Sequence, residues 1–324
     1  MTVTLADIEA AARRLEGRLH RTPLVSAKSL SRPGAALWLK CENLQKVGAF
    51  KARGALHHLL CLFARDPSAR ARGVATYSSG NHGAALAWAA RELGSRATIF
   101  VPEDIPAGKR AAIEGYGGTV IVAGRTSSDR RLACEAAAER DGAAIVPPFD
   151  DAWIVAGQGT CGLEILEQRP DVKRILVPVG GGGLLAGIAV AVKAKRPEVE
   201  VIGVEPEAAA SMSAALAAGK PVEIKVGETI ADGLKPVQVG ALNHALASRL
   251  VSRVITVSDA AIRQAMRLLI ERCKLVVEPS GAAPVAAWLT ETGRSQGIDV
   301  AAGSTVAVLS GGNIDVGRLT QLFQ

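Results

Sequence analysis

Residues 73–77 read GVATY and are followed at 83–93 by GAALAWAAREL. Residues 97–101, ATIFV, are followed at 107–115 by AGKRAAIEG, and residues 119–122, TVIV, at 127–139 by SSDRRLACEAAAE. Short β-branched runs bounded by glycine or proline are strand-like, and the Ala-rich stretches between them are long enough for helices. A second set follows at 175–179, 184–194, 199–204 and 305–309. Strands alternating with helices predict an α/β fold of open, twisted, mostly parallel sheets with helices on both faces. Gly94 after one helix, Pro102 and Pro106 around a loop, and Gly117-Gly118 after another helix punctuate the chain where that fold needs turns. The three units between 54 and 146 predict a small domain, with 1–53 and 147–324 forming a larger one.

The 324 residues are 48% hydrophobic and 21% charged, enough for a sizeable core and unlike a disordered or fibrous chain. Aromatic residues make up only 3%, while 34 glycines and abundant alanine favour closely packed helices and sheets over an all-β sandwich. The net charge is +7, but Lys and Arg are interspersed with acids and form no long basic run, so no nucleic-acid partner is expected. Attraction for small anions is the milder consequence. The five cysteines stand singly, without CxxC pairs or zinc-like His spacing, as reduced buried thiols do. No apolar stretch near the length of a membrane span is free of charge, and residues 5–15, LADIEAAARRL, open directly as a helix. A cytoplasmic protein without a membrane partner is expected.

The chemistry starts at residues 40–55, KCENLQKVGAFKARGA. Gly48, Ala49, Phe50 and Ala52 surround Lys51 with small or apolar neighbours. A lysine in such a pocket is desolvated, which lowers its pKa and leaves an amine able to attack a carbonyl. By itself the residue also reads as a solvated lysine at a helix start.

The whole stretch resembles the active-site segment of the fold-type II pyridoxal-phosphate enzymes, in the branch of threonine/serine dehydratases and serine racemases. It matches the pattern K-x-E-x-x-Q-x-x-G-[SA]-F-K-x-R-G-A at Lys40, Glu42, Gln45, Gly48, Ala49, Phe50, Lys51, Arg53, Gly54 and Ala55. The resemblance implies a tryptophan-synthase-β-like fold with pyridoxal 5'-phosphate carried by Lys51 as a Schiff base and flanked by Phe50. Alanine at 49, where serine is commoner, occurs in hydroxyaspartate-dehydratase relatives.

Residues 78–83, SSGNHG, join a strand to a helix, so their backbone N–H groups form the positive end of that helix and suit an anion, or simply cap it. By resemblance this is the substrate-carboxylate loop, with Ser78, Ser79, Asn81 and His82 as substrate residues and Asn81 also at the cofactor's ring hydroxyl. His82 resembles the dehydratase side, since the cysteine-synthase branch usually carries threonine there. Ser79 matches the serine that supplies a second acid/base in serine racemases.

Residues 174–186, RILVPVGGGGLLA, place Gly180, Gly181, Gly182, Gly183 and Leu184 between a strand and an apolar helix, a phosphate cradle by chemistry. The same loop fits G-x-G-x-x-A, with Glu205 at the distance of a ribose-binding acid, so a nicotinamide site is the rival reading of this segment alone.

Residues 305–315, TVAVLSGGNID, form a buried strand and turn, and by resemblance Ser310 hydrogen-bonds the pyridine nitrogen. A neutral hydroxyl does not keep that nitrogen protonated, which suits β-elimination better than transamination. By the same resemblance Glu278, in VEPSG (277–281), lies near the pyridine side. PFDD (148–151) is more like threonine dehydratases than racemases, and AGQGT (156–160) and TIADG (229–233) also resemble the branch. Arg130 is either a substrate-carboxylate ligand or an exposed helix arginine. In VEPEAAAS (204–211) Ser211 stands where the metal-binding racemases have an acid, so no tight metal site is expected.

The resemblance runs from His20 to Asn313. It implies a threonine/serine dehydratase acting on a small β-hydroxy amino acid as a homo-oligomer, a dimer. Serine racemase and threo-3-hydroxyaspartate dehydratase are the alternatives, and a non-catalytic cofactor-binding protein is a third.

Overall fold

The computed structural model of the chain describes residues 2–78, 80–290, 295 and 303–324. Ser79, expected to be a substrate and acid/base residue, lies outside them. The strands are β1 (Leu24–Ser26), β2 (Ala35–Lys40), β3 (Val74–Thr76), β4 (Ala97–Val101), β5 (Thr119–Val122), β6 (Ala144–Ile145), β7 (Val172–Pro178), β8 (Glu200–Pro206), β9 (Arg253–Val257) and β10 (Gly303–Val308). They form two sheets, ordered β1-β2-β10-β7-β8-β9 and β5-β4-β3-β6. Every pairing is parallel except β1 with β2.

The central strands of the larger sheet are buried on both faces, which is why their sequences read as continuous apolar runs: Ile175, Leu176 and Val177 in β7 and Val306, Ala307 and Val308 in β10 are all inaccessible. The strands absent from the sequence-based expectation are short or peripheral. β1 and β6 have three and two residues, too few for a periodicity. β9 is an edge strand in which Ile255 and Val257 are buried and Thr256 is not, a weaker signal than a buried run. All four strands of the smaller sheet come from within residues 74–145.

Helices are stopped and started by local chemistry. Thr4 with Asp7, and Thr126 with Asp129, form capping boxes, and Asp151 accepts the amides of Trp153 and Ile154 at the head of helix Ala152–Gln168. That helix packs between Lys51–Arg65 and Gly183–Lys195. Its AGQGT stretch explains how: a Cβ on Gly157 would lie 2.7 Å from the Arg53 carbonyl oxygen, and one on Gly187 of the facing helix 2.4 Å from that of Val155. Only glycine lets these backbones touch, and the helix that begins with Lys51 is thereby set directly on the core.

Candidate active site

Lys51 opens the helix Lys51–Arg65, preceded by a tight turn in which Val47 and Gly48 both take positive φ. The turn is tied to the end of β10: the Phe50 amide donates to the Ser310 carbonyl at 3.0 Å, and Ala49 bridges Gly311. Two sequence-distant motifs, the lysine segment and the SGGN turn, are thus made neighbours by sheet topology. The Lys51 Nζ donates to the Pro148 carbonyl at 2.6 Å and sits over the Phe50 ring, 5.1 Å from its centroid. Burial lowers its pKa to about 8.

A buried ionic lattice lies behind Lys51. Arg53 forks onto both oxygens of Glu42, through Nε at 2.8 Å and Nη2 at 2.8 Å, and onto both oxygens of Glu164 at 2.6 and 2.9 Å. Lys40 reaches Glu164 at 2.5 Å, Gln168 and the Thr22 carbonyl. Gln45 ties the turn to His20 in both directions. Lys40, Glu42, Gln45 and Arg53, matched as a linear pattern, are therefore one framework that holds the lysine turn. Burial alone would raise the Glu42 carboxyl; the Arg53 charge and hydrogen bonds override it and hold Glu42 below the ordinary carboxylate range.

Asn81 begins the helix Asn81–Glu92. Its Nδ2 donates to Glu278 Oε1 at 2.7 Å and its Oδ1 accepts from Asn313 Nδ2 at 2.8 Å. Asn313 also donates to the Val47 carbonyl at 2.8 Å. The turn that contains Asn313 is legible in the sequence, but nothing along the chain marks these contacts. Glu278 is buried against Gly311, and burial, with Asp232 nearby, raises its carboxyl to about 7.

His82 is buried, with Nε2 3.2 Å from the Val146 carbonyl oxygen. Burial and the Lys51 charge drop its pKa to about 3, so the ring is neutral; a carbonyl only accepts, so Nε2 carries the hydrogen. Its Nδ1 meets no partner among the described residues. Ser78 is half-buried. Arg130 donates through Nη1 to the Arg125 carbonyl at 3.2 Å, near the head of its own helix.

The glycine loop runs from the end of β7 into helix Gly183–Lys195, with Gly182 at φ +91° as the N-cap. Phe149, the residue after the lysine's acceptor, lies across it: a Cβ on Gly181 would come within 2.2 Å of the Phe149 ring. The loop and the first-turn residue Leu184 present amides that have no partner inside the helix, the donor set a phosphate requires. Together with a buried amine of lowered pKa, this donor set fits a phosphorylated aldehyde. Glu205, the rival's ribose ligand, is buried and accepts from Met212 N at 2.6 Å, Ser213 N at 3.0 Å and Ser213 Oγ at 2.8 Å. It caps the helix Ser211–Ala218 and is occupied. No cluster of three or more His, Cys, Asp or Glu that could hold a metal occurs among the described residues.

Between the two sheets a cleft of about 460 Å³ opens beside Gly80, Asn81 and Asn313. Lys109 from the smaller sheet's side pairs with Asp232 across it, and Arg318 stands 3.6 Å from the same Asp232 oxygen.

The fold and this site define an α/β enzyme that binds a phosphorylated carbonyl cofactor on a lysine. Residues 15–311 match the family described as pyridoxal-phosphate dependent enzyme, and the chain belongs to that family. It is 44% identical to an L-threonine ammonia-lyase of Geobacter sulfurreducens, over 98% of this chain and 77% of that protein. It is 40% identical to a serine racemase of Arabidopsis thaliana, over 99% of this chain and 96% of the relative. The solved structure of maize serine racemase superposes with a TM-score of 0.93 at 38% identity, covering 100% of this chain and 97% of that one. The chain is thus a pyridoxal-phosphate-dependent enzyme of fold type II. No helix among the described residues is long and apolar enough to cross a membrane.

Proposed function

We propose that the chain removes water from a small β-hydroxy amino acid, L-threonine or L-serine, and yields the 2-oxo acid and ammonia. The observation that carries this reading is the Lys51 amine, buried, held near a pKa of 8 and joined through Pro148 and Phe149 to the glycine loop. When bound, pyridoxal phosphate supplies an aldehyde for imine exchange and a ring that draws electrons from the Cα–H bond.

The chain's own residues do the rest. Lys51 would take the α-proton, and its pKa of about 8 leaves roughly a tenth of it as free base at pH 7, far more than an ordinary lysine. The α-hydrogen and β-hydroxyl leave as water, and the enamine released takes up water to give oxo acid and ammonia. Gly180, Gly181, Gly182, Gly183 and Leu184 would hold the phosphate, and Asn81, steered by Asn313 and Glu278, would bond the ring hydroxyl. Ser310 would be a neutral partner for the ring nitrogen, which would favour elimination. Ser78, Ser79 and the backbone to His82 receive the substrate carboxylate. The units 54–146 and 1–53 with 147–324 flank it, and the Lys109–Asp232 pair bridges their cleft.

The companion readings are assembly as a homodimer and residence in the cytoplasm. Leu44 and Val276, each about half exposed, lie on adjoining turns joined by the Asn43–Val276 hydrogen bond, an apolar surface suited to a second copy. All five thiols are free, which fits a reducing compartment. Light scattering of the purified protein tests the dimer.

Incubation with L-threonine, L-serine and threo-3-hydroxyaspartate, assaying oxo acid, ammonia and D-serine, tests the function. Oxo acid from threonine is expected. D-serine as the main product would replace the elimination reading with racemisation, and bound cofactor without any turnover would replace it with a binding protein.

A further inference from the structure

A residue outside every motif joins the glycine loop to the segment that receives Lys51. Asn243 lies in the first turn of helix Ala241–Leu250 and is fully buried. Its Nδ2 donates to the Gly181 carbonyl at 2.7 Å and to the Phe149 carbonyl at 3.1 Å. Both partners can only accept, so the chemistry itself decides which end of the amide faces them. The Gly240 amide adds a second donor to the Gly181 oxygen at 3.2 Å. A Cβ on Gly182 would come within 2.9 Å of the Asn243 Cβ, so the loop and this side chain are in close contact.

The geometry has a direct consequence for the loop. In a trans peptide the C=O and N–H point in opposite directions. The Gly181 carbonyl shares its peptide with the Gly182 amide; anchoring that carbonyl on Asn243 turns the Gly182 N–H away from helix Ala241–Leu250. The second bond of Asn243 holds the Phe149 carbonyl, one residue beyond the Pro148 oxygen that accepts the Lys51 ammonium. One side chain therefore fixes the orientation of the anion-binding amide and its register with the lysine.

We infer that Asn243 is a positioning residue of the cofactor site, setting the phosphate-binding form of the glycine loop. This rests on the reading of Gly180–Gly183 as the phosphate cradle. Asn243→Asp is isosteric but puts a carboxylate against two carbonyls, and Asn243→Ala removes the donor without that repulsion.

The test measures binding of pyridoxal 5'-phosphate and of pyridoxal to the full chain stripped of cofactor, by absorbance titration. Both ligands present the same aldehyde to Lys51 and differ only in the phosphate. The wild-type chain is expected to prefer the phosphate ester, and the ratio of the two dissociation constants is expected to fall by about tenfold or more in N243D, and by less in N243A, as the loss of two buried hydrogen bonds implies. An unchanged ratio, or equal weakening of both ligands, would overturn the role of Asn243. A wild-type chain without preference for the phosphate ester would instead overturn the cradle reading, and the positioning role with it. The ratio is insensitive to the fraction of folded protein, and N243A supplies it where N243D does not accumulate.

Discussion

Replacing Arg53 with methionine removes the centre of the ionic lattice behind Lys51 and leaves two carboxylates facing a hydrophobic side chain. In the native protein Arg53 makes four contacts to Glu42 and Glu164 between 2.6 and 2.9 Å, plus one to Thr160 Oγ1 at 3.1 Å, with the Arg53 side chain 2% exposed and that of Glu42 0%. Breaking a buried pair by removing one partner costs about 3–5 kcal/mol, a large share of the roughly 5–15 kcal/mol that holds a typical domain together. Glu164 keeps Lys40, so the orphan is Glu42. Arg53→Met should therefore be far worse than the double variant Glu42→Gln with Arg53→Met, which has no stranded charge, and the coupling in that cycle should reach about 1–3 kcal/mol. Arg53→Lys should fall between, because one ammonium cannot serve both oxygens of two carboxylates. The pH dependence follows from the sign of the Glu42 shift. A carboxyl whose folded pKa lies below its unfolded value of about 4.3 stabilises the fold above that pH and loses the contribution as pH falls through the folded pKa. Wild-type stability should hence drop in acid more steeply than that of the double variant. Urea unfolding of the wild type, Glu42→Gln, Arg53→Met, the double variant and Arg53→Lys at pH 7 and pH 4 is the assay. A loss below about 1 kcal/mol for Arg53→Met, the level of an exposed pair, or strict additivity in the cycle, would refute the argument.

Capture of pyridoxal phosphate by the cofactor-free chain should quicken as pH rises through about 8, where Lys51 loses its proton, and level off above it; stopped-flow absorbance reads the rate, and Lys51→Ala should show none of this phase. Glu278 titrates near 7 because burial disfavours its anion, so the folded state holds a proton that the unfolded chain has already released above about pH 4.3. Stability should thus decline between about pH 4 and 7, and Glu278→Gln, which still accepts from Asn81, should flatten that decline in thermal melts. Gly181→Ala drives a methyl into the Phe149 ring and should weaken cofactor retention, while adding Phe149→Ala should restore part of it; equilibrium dialysis compares the pair, and a Gly181→Ala chain that retains cofactor normally would contradict the contact.

The α/β class is legible along the chain, and so are the local surroundings that single out Lys51 and the loops proposed to flank it. Those signals are local: a buried parallel strand is a continuous apolar run, a helix head needs its caps, and Lys51 among Gly48, Ala49 and Phe50 is a local environment that a linear pattern records. The same pattern listed Lys40, Glu42, Gln45 and Arg53 without saying why they belong together. The folded chain supplies the reason: Lys40 and Arg53 converge on Glu164, contributed by a helix more than a hundred residues away, Glu42 pairs with Arg53, and Gln45 braces the turn through His20, because a buried charge is satisfied by whatever partner the fold brings to it. Asn313 and Asn243 were illegible for the same reason: an asparagine amide is chemically the same on a surface turn as in a core, and its role is set by the carbonyls it meets. Glu205 shows the converse. Its spacing from the glycine loop suits a ribose ligand, yet packing closes the site around it and its oxygens serve the amides of a helix start, which spacing along a chain cannot encode.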